Sequence, residues 1–161
     1  MRHVSRETRV TEEFHHRFIA CMEEGHAEDE LNTGLIRLWE LRSDWDNRIW
    51  IYARKTPDGW TIHNEQRHRG QDLWAFHNAE PLTWGQRFLV ELDRVVDRHR
   101  LRVLSEDGGI VYVDTGDIEG VNQPFDRLWI ASTIKSRRNN GNWSTGYIES
   151  LIMTPDHQIC S

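Results

Sequence analysis

The chain has 161 residues and a formal net charge of −6 at neutral pH. That length suits one domain with one core and leaves no room for a second. The acidic balance gives no global footprint for nucleic acid, and no apolar run approaches the ~20 residues of a membrane-spanning helix.

The hydrophobic period along the chain is two, the signature of strands with one face turned inward. The segment "FHHRFIACM" sets Phe14, His16, Phe18, Ala20 and Met22 on one face, so the adjacent His15 and His16 point to opposite faces. "EEGHAEDELNTG" follows as an acidic loop or one helical turn. "GLIRLWEL" sets Leu35, Arg37, Trp39 and Leu41 against Ile36, Leu38 and Glu40. "RIWIYAR" and "WTIHNEQR" flank Thr56-Pro57-Asp58-Gly59, a good turn sequence, and predict a hairpin. "HRGQDLWAFHNAEPLTWGQ" reads as a long loop or a short helix around Leu73 to Phe76. Long loops in compact domains are often functional. "RFLVELDRV" alternates Phe88, Val90 and Leu92 against Arg87, Leu89, Glu91 and Asp93. "RLRVLS" and "IVYVDT" flank the hairpin loop Glu106-Asp107-Gly108-Gly109. "RLWIASTI" and "YIESLIM" close the series around the polar loop "KSRRNNGNWSTG". Strands at this spacing predict an all-β antiparallel sandwich or barrel. Its expected core holds Phe18, Ile49, Ile51, Trp60, Ile62, Phe88, Val90, Leu101, Val103, Ile130 and Leu151.

The hairpin from Asn47 to Arg69 carries the functional signal. Ile49, Ile51, Trp60 and Ile62 take its core side. Arg48, Trp50, Tyr52 and Arg54 line the other side of its first strand, and His63, Glu65 and Arg67 that of its second. Paired around the turn, the two strands bring Tyr52 and His63 to one face within a few positions. A merely solvated sheet face is the plain alternative. Arginines beside flat aromatics suit a groove for an acidic sugar, with guanidinium for the acid and rings for stacking. Arg37, Arg87, Glu91, Trp129 and Lys135 are expected to extend that surface from neighbouring strands.

Composition points the same way. Only Lys55 and Lys135 are lysines among the 20 basic residues. Codon bias explains that, and so does a surface that grips carboxylate or sulfate through arginine's planar fork. Eight tryptophans exceed what one small core usually needs, so some are expected at a binding surface. "MRHVSRETRV" has no apolar stretch of signal-peptide type. Localisation stays open, since extracellular action is compatible with a trimmed mature domain. Cys21 and Cys160 match no zinc or redox spacing, and their disulfide state stays open too.

The segment "PLTWGQRFLVEL…HRLRVLSEDGGIVYVDTG" resembles the concanavalin A-like jelly-roll group, which includes legume-lectin, laminin-G-like and polysaccharide lyase domains. Trp84 leads a strand, "RLRVLS" follows, and Asp107-Gly108 turns into "GIVYVDTG"; "GYIESLIM" resembles the closing strand. Within the group the nearest likeness is to lyases of the heparin-lyase or alginate-lyase type. It rests on "RETR" from Arg6 to Arg9, on "NRIWIYARKTPDGW" and on "VYVDTGDIEGVNQPFDRLWIA". The resemblance implies an antiparallel two-sheet jelly-roll sandwich over residues 1–161, with an acidic polysaccharide as partner on its concave sheet.

In the lyase version, cleavage is β-elimination. Arg48 or Arg67 neutralises the uronate carboxylate, and Tyr52 or His63 acts as base or acid. The chain departs from the lyase pattern at Glu40, where a histidine is usual, and in "FDRLWIASTIKSR", which lacks the tyrosines and lysine of the matching strand. Laminin-G-like domains bind calcium at loops, so a structural calcium at "EEGHAEDE" or "DTGDIEG" is implied, although neither has EF-hand spacing. No other cofactor is expected. Two further readings compete: a non-enzymatic interaction module, as in a capsid, tail or assembly protein, and a glycoside hydrolase using Glu91 and a partner acid. The sequence leaves the oligomeric state open.

Overall fold

The structure, a computed structural model, describes residues 4–10, 13–23, 35–95, 97–120, 125–133 and 146–154. Its strands are β1 (Val4–Val10), β2 (Glu13–Met22), β3 (Leu35–Arg42), β4 (Arg48–Thr56), β5 (Gly59–His68) and β6 (Gln71–His77). They continue with β7 (Arg87–Val95), β8 (Arg98–Ser105), β9 (Val111–Asp114), β10 (Ile118–Glu119), β11 (Phe125–Thr133) and β12 (Gly146–Thr154). Among the described residues there is no helix, and hence none long and apolar enough to cross a membrane.

One sheet, here the front sheet, runs β1-β11-β3-β4-β5-β6. The back sheet runs β10-β8-β7-β2-β12, with β9 also pairing β8. Neighbours are antiparallel throughout. The β4–β5 hairpin therefore sits inside the front sheet, flanked by β3 and β6. This is an antiparallel sandwich, as the period-two pattern predicts, in the two-sheet jelly-roll form that the resemblance implies.

The core lies between the sheets. Trp39, Leu41, Ile49, Ile51, Trp60 and Ile62 enter it from the front sheet, and Phe14, Phe18, Met22, Phe88, Val90, Leu92, Leu101 and Val103 from the back. The predicted core residues whose side chains are described are all exposed by 1% or less. Ile130 and Leu151 lie in β11 and β12, where only the backbone is described. His16 joins the core as a polar member and accepts a hydrogen bond from Trp39 Nε1 at 3.0 Å.

Three local features differ from the sequence expectation. First, β3 carries a bulge: Arg37 pairs with Tyr52, but Trp39 already pairs with Ile51. The extra residue, Leu38, shifts the phase. Trp39 and Leu41 turn into the core, while Glu40 and Arg42 join Arg37 outside. Second, Gln71–His77 is a strand, neither loop nor helix. It is an edge strand with little buried surface, so it carries no clear apolar alternation. Its turn, Arg69-Gly70, has positive φ at both residues (51° and 78°), as a two-residue type I′ hairpin requires. Third, Val4–Val10 forms a strand on β11, although the sequence pattern singled out no strand there.

The interior also holds His99, edge-on to Trp74 at 4.0 Å, with Asn64 Nδ2 at 3.4 Å from its Nε2. Burial, with some help from Arg94, pushes its pKa down to about 3. An unfolded histidine titrates near 6.5. Between these values the unfolded chain binds a proton that the folded chain refuses, so stability is full above pH ~6.5 and declines as pH falls. Thermal unfolding is expected to show a Tm lower by roughly 5 °C or more at pH 4 than at pH 7. His99→Gln should flatten that slope. An unchanged slope in the variant would show that His99 does not contribute to it.

Candidate functional site

The outer face of the front sheet is built from rows of register partners running across the strands. One row is Arg42, Arg48, Arg67 and Asp72, on β3 to β6, with Arg127 of β11 opposite Arg42. The next is Glu40, Trp50, Glu65 and Ala75, with Trp129 opposite Glu40. The third is Arg37, Tyr52, His63 and His77, and beyond it Arg54 faces Thr61. Like charges directly opposite each other destabilise a sheet. A row of arginines therefore needs anions nearby.

Part of that need is met internally. Glu40 is fully buried (0% exposed) and lies 2.6 Å from Arg37 Nε and 3.7 Å from Arg42 Nη1. Asp72 lies 3.2 Å from Arg67 Nε, which also donates to the Gly70 carbonyl at 3.1 Å. Five described arginines, Arg37, Arg42, Arg48, Arg54 and Arg67, share the face with Glu40, Glu65 and Asp72. The face is thus rich in positive charge on a chain whose formal net charge is −6.

Glu65 spends its charge on aromatics. It accepts from Trp50 Nε1 at 2.7 Å with one oxygen and from the Tyr52 hydroxyl at 2.5 Å with the other. Both rings are fixed by this clamp, and they lie 4.5 Å apart. The ladder continues across the strands: Tyr52 stacks on His63 at 4.7 Å, and His63 on His77 at 5.3 Å. Burial, then the bond to Glu65, pushes the Tyr52 phenol well above its ordinary value. Burial, then His77 and Arg54, pushes His63 down to about 4. At neutral pH the Tyr52 phenol holds its proton and the His63 imidazole lacks its second one. His63 Nε2 also lies 2.9 Å from Thr61 Oγ1.

Of the site residues predicted from sequence, Arg37, Arg48, Trp50, Tyr52, Arg54, His63, Glu65 and Arg67 come together on this face. Arg87 and Glu91 do not. They alternate with Phe88, Val90 and Leu92 on β7 and so point away from the core on the back sheet, the opposite side of the sandwich. There Arg87 pairs with Glu106 at 2.8 Å, and Glu91 with Arg102 at 2.7 Å and Arg17 at 3.8 Å. Asp93 is tied to His15 and lies 3.7 Å from Arg102. Trp129 belongs to the front sheet by its register with Glu40, but its side chain is outside the described residues, as is Lys135 altogether. Sequence reasoning passed over Glu40 and Arg42, hidden by the bulge, and Asp72 and His77, hidden on the unrecognised strand.

The calcium reading does not fit "DTGDIEG". Asp114 gives its carboxylate to the Arg100 fork and to the Gly116 amide. Among the described residues no three His, Cys, Asp or Glu side chains gather as a metal site. Most of "EEGHAEDE" lies outside the described residues, as does Cys160; Cys21 is buried as a free thiol.

No family model matches the sequence, and no curated protein matches it either. Solved structures do share its architecture. The homodimeric agglutinin CG-16 from chicken liver is 8% identical, with 95% of this chain and 100% of that one covered and a TM-score of 0.55. The carbohydrate-binding module CBM66 from Bacillus subtilis is 12% identical over 93% of this chain and 76% of that one, with a TM-score of 0.54. The alginate lyase from Klebsiella pneumoniae is 10% identical, with a TM-score of 0.59; the match covers 88% of this chain but 59% of the lyase. At such identities the likeness is one of fold. The chain is an all-β jelly-roll sandwich of the concanavalin A-like type.

Proposed function

We propose that the outer face of the front sheet recognises an acidic polysaccharide. The observation that carries this is the register-aligned row of Arg42, Arg48 and Arg67 beside the clamped rings of Trp50 and Tyr52. Anions relieve the repulsion within such a row, and flat rings take the apolar faces of sugars. The agglutinin, the carbohydrate-binding module and the lyase that share the fold favour a glycan over other anions. Among the described residues Arg54 has no carboxylate partner, so its fork is available to a uronate or sulfate.

A second reading adds β-elimination, and the Tyr52–His63 stack favours it. An imidazole pushed to about 4 is neutral at pH 7 and can accept a proton. The phenol, pushed upward, keeps its proton at pH 7; donating it to a leaving oxygen requires that the hydroxyl first turn from Glu65, to which it now donates. Arg67 or Arg54 then neutralises the carboxylate. Arg48 suits that role poorly, because its guanidinium lies against two indole rings and the residue is buried.

The test is incubation with alginate, heparin, hyaluronan, polyglucuronate and neutral dextran. Retention in affinity gels and absorbance of the unsaturated uronyl product are followed together. Retention by acidic polymers and not by dextran is expected, and rising absorbance adds the lyase activity. Absence of both with every polymer overturns the glycan reading.

A further inference from the structure

A large exposed aromatic lies outside the rows described so far. Trp45, in the loop between β3 and β4, is 52% exposed. Its indole lies 4.0 Å from the Arg48 guanidinium, which also lies 4.3 Å from the Trp50 ring. Arg48 also donates from Nη1 to the Trp45 carbonyl at 3.1 Å and is itself 5% exposed. The loop is pinned at several points. Asp44 Oδ1 accepts from the Asp46 amide at 2.8 Å and from Asn47 Nδ2 at 3.0 Å, and the Ser43 amide donates to the Asn47 carbonyl at 3.1 Å. The β5–β6 turn holds it from the side: the Arg69 amide donates to Asn47 Oδ1 at 3.0 Å and the Gly70 amide to the Asp46 carbonyl at 3.1 Å. Arg69 accepts a positive φ of 51° in this arrangement, a conformation that costs a non-glycine residue free energy.

An exposed indole on a mobile loop needs no explanation. One backed by a buried cation and held by two stitched turns is pre-organised, which lowers the ordering cost of binding. Its neighbours on the sheet are Arg48 and the arginine row. We propose that Trp45 forms a stacking subsite for one ring of the acidic polysaccharide. Arg48 is its positioning residue and not an anion ligand. The anionic groups of the polymer then fall to Arg42, Arg54 and Arg67. This inference rests on the glycan reading above.

The experiment measures binding of heparin and alginate oligosaccharides by calorimetry to wild type, Trp45→Ala, Trp45→Phe and Arg48→Met. Trp45→Ala is expected to bind about tenfold more weakly or worse, and Trp45→Phe within about threefold of wild type. The positioning role is read by fluorine NMR on fluorotryptophan-labelled protein without ligand, the Trp45 resonance being assigned by its loss in Trp45→Phe. Arg48→Met should shift and broaden that resonance and weaken binding as Trp45→Ala does. If wild type binds and Trp45→Ala binds equally well, the subsite is wrong and the glycan reading stands. If Trp45→Ala and Trp45→Phe lose affinity alike, stacking is wrong. An unmoved Trp45 resonance in Arg48→Met overturns the mount. If wild type binds neither oligosaccharide, both the inference and the acidic-glycan reading fall.

Discussion

Replacing Glu40 by alanine is expected to destabilise the fold by about 3–5 kcal/mol. Glu40 is fully buried although its register places it on the outer face of the front sheet. Arg37, itself 8% exposed, lies 2.6 Å away, and Arg42 lies 3.7 Å away. Deleting the carboxylate removes the buried anion that Arg37 and Arg42 share, in a sheet face where Arg48 sits opposite Arg42. Burying an unpaired charge costs far more than an exposed ion pair contributes. Urea unfolding of the variant checks this. A loss under about 1 kcal/mol would show that water reaches the arginines and that the face is looser than its packing indicates. The same variant should disturb glycan binding, because the positions of Arg37 and Arg42 depend on Glu40.

Gly59→Ala is expected to cost about 3 kcal/mol or more, placing it among the severe single substitutions. Gly59 closes the β4–β5 turn at φ +153°. A Cβ added there would collide with the Leu82 carbonyl oxygen and press on Pro81. That carbonyl accepts from the Trp60 amide at 3.0 Å, and the Leu82 amide returns a bond to Trp60 at 2.7 Å. The indole of Trp60 is buried, edge-on to Phe88 at 5.6 Å, with Nε1 donating to the Thr83 carbonyl at 3.3 Å. The collision therefore propagates into the core. Gly108→Ala makes the comparison: its φ is +78°, but nothing lies within 4 Å of the added Cβ. It should cost about 1 kcal/mol, for backbone conformation alone. Equal thermal shifts in the two variants would mean that the Leu82 contact carries no weight.

The fold was legible because burial in a sandwich imposes alternation. Phe14 to Met22 and Phe88 to Leu92 announce their strands through every second residue. The hairpin at Pro57-Asp58-Gly59 announces itself through turn chemistry, and its two faces divide as the sequence indicates, Ile49 and Ile51 inward, Arg48 and Trp50 outward. Alternation weakens where a strand buries little, which is why Gln71–His77, whose Trp74 and Phe76 are only partly buried against the core, reads as a loop. It fails where a bulge adds a residue. Leu38 reverses the phase of β3, and with it the roles of Trp39 and Glu40. The candidate site follows the same logic. Residues on β4 and β5 could be grouped from one hairpin. Placing Arg87 and Glu91 required knowing which sheet β7 joins, and local pattern does not encode that. Trp45 gave no signal, since its mounting depends on contacts between two separate turns.

The central claim is that acidic glycans bind the outer face of the front sheet through arginine. The most direct test is the affinity for heparin and alginate oligosaccharides at rising salt, for wild type, for Arg54→Ala combined with Arg67→Ala, and for Arg17→Ala on the back sheet. Attraction between charges weakens with ionic strength. Wild type is expected to bind more weakly as salt rises. The front-face double variant should bind about tenfold more weakly at low salt and with a shallower salt dependence, while Arg17→Ala should match wild type. Binding that ignores salt, or that falls equally with the back-face substitution, would contradict the account.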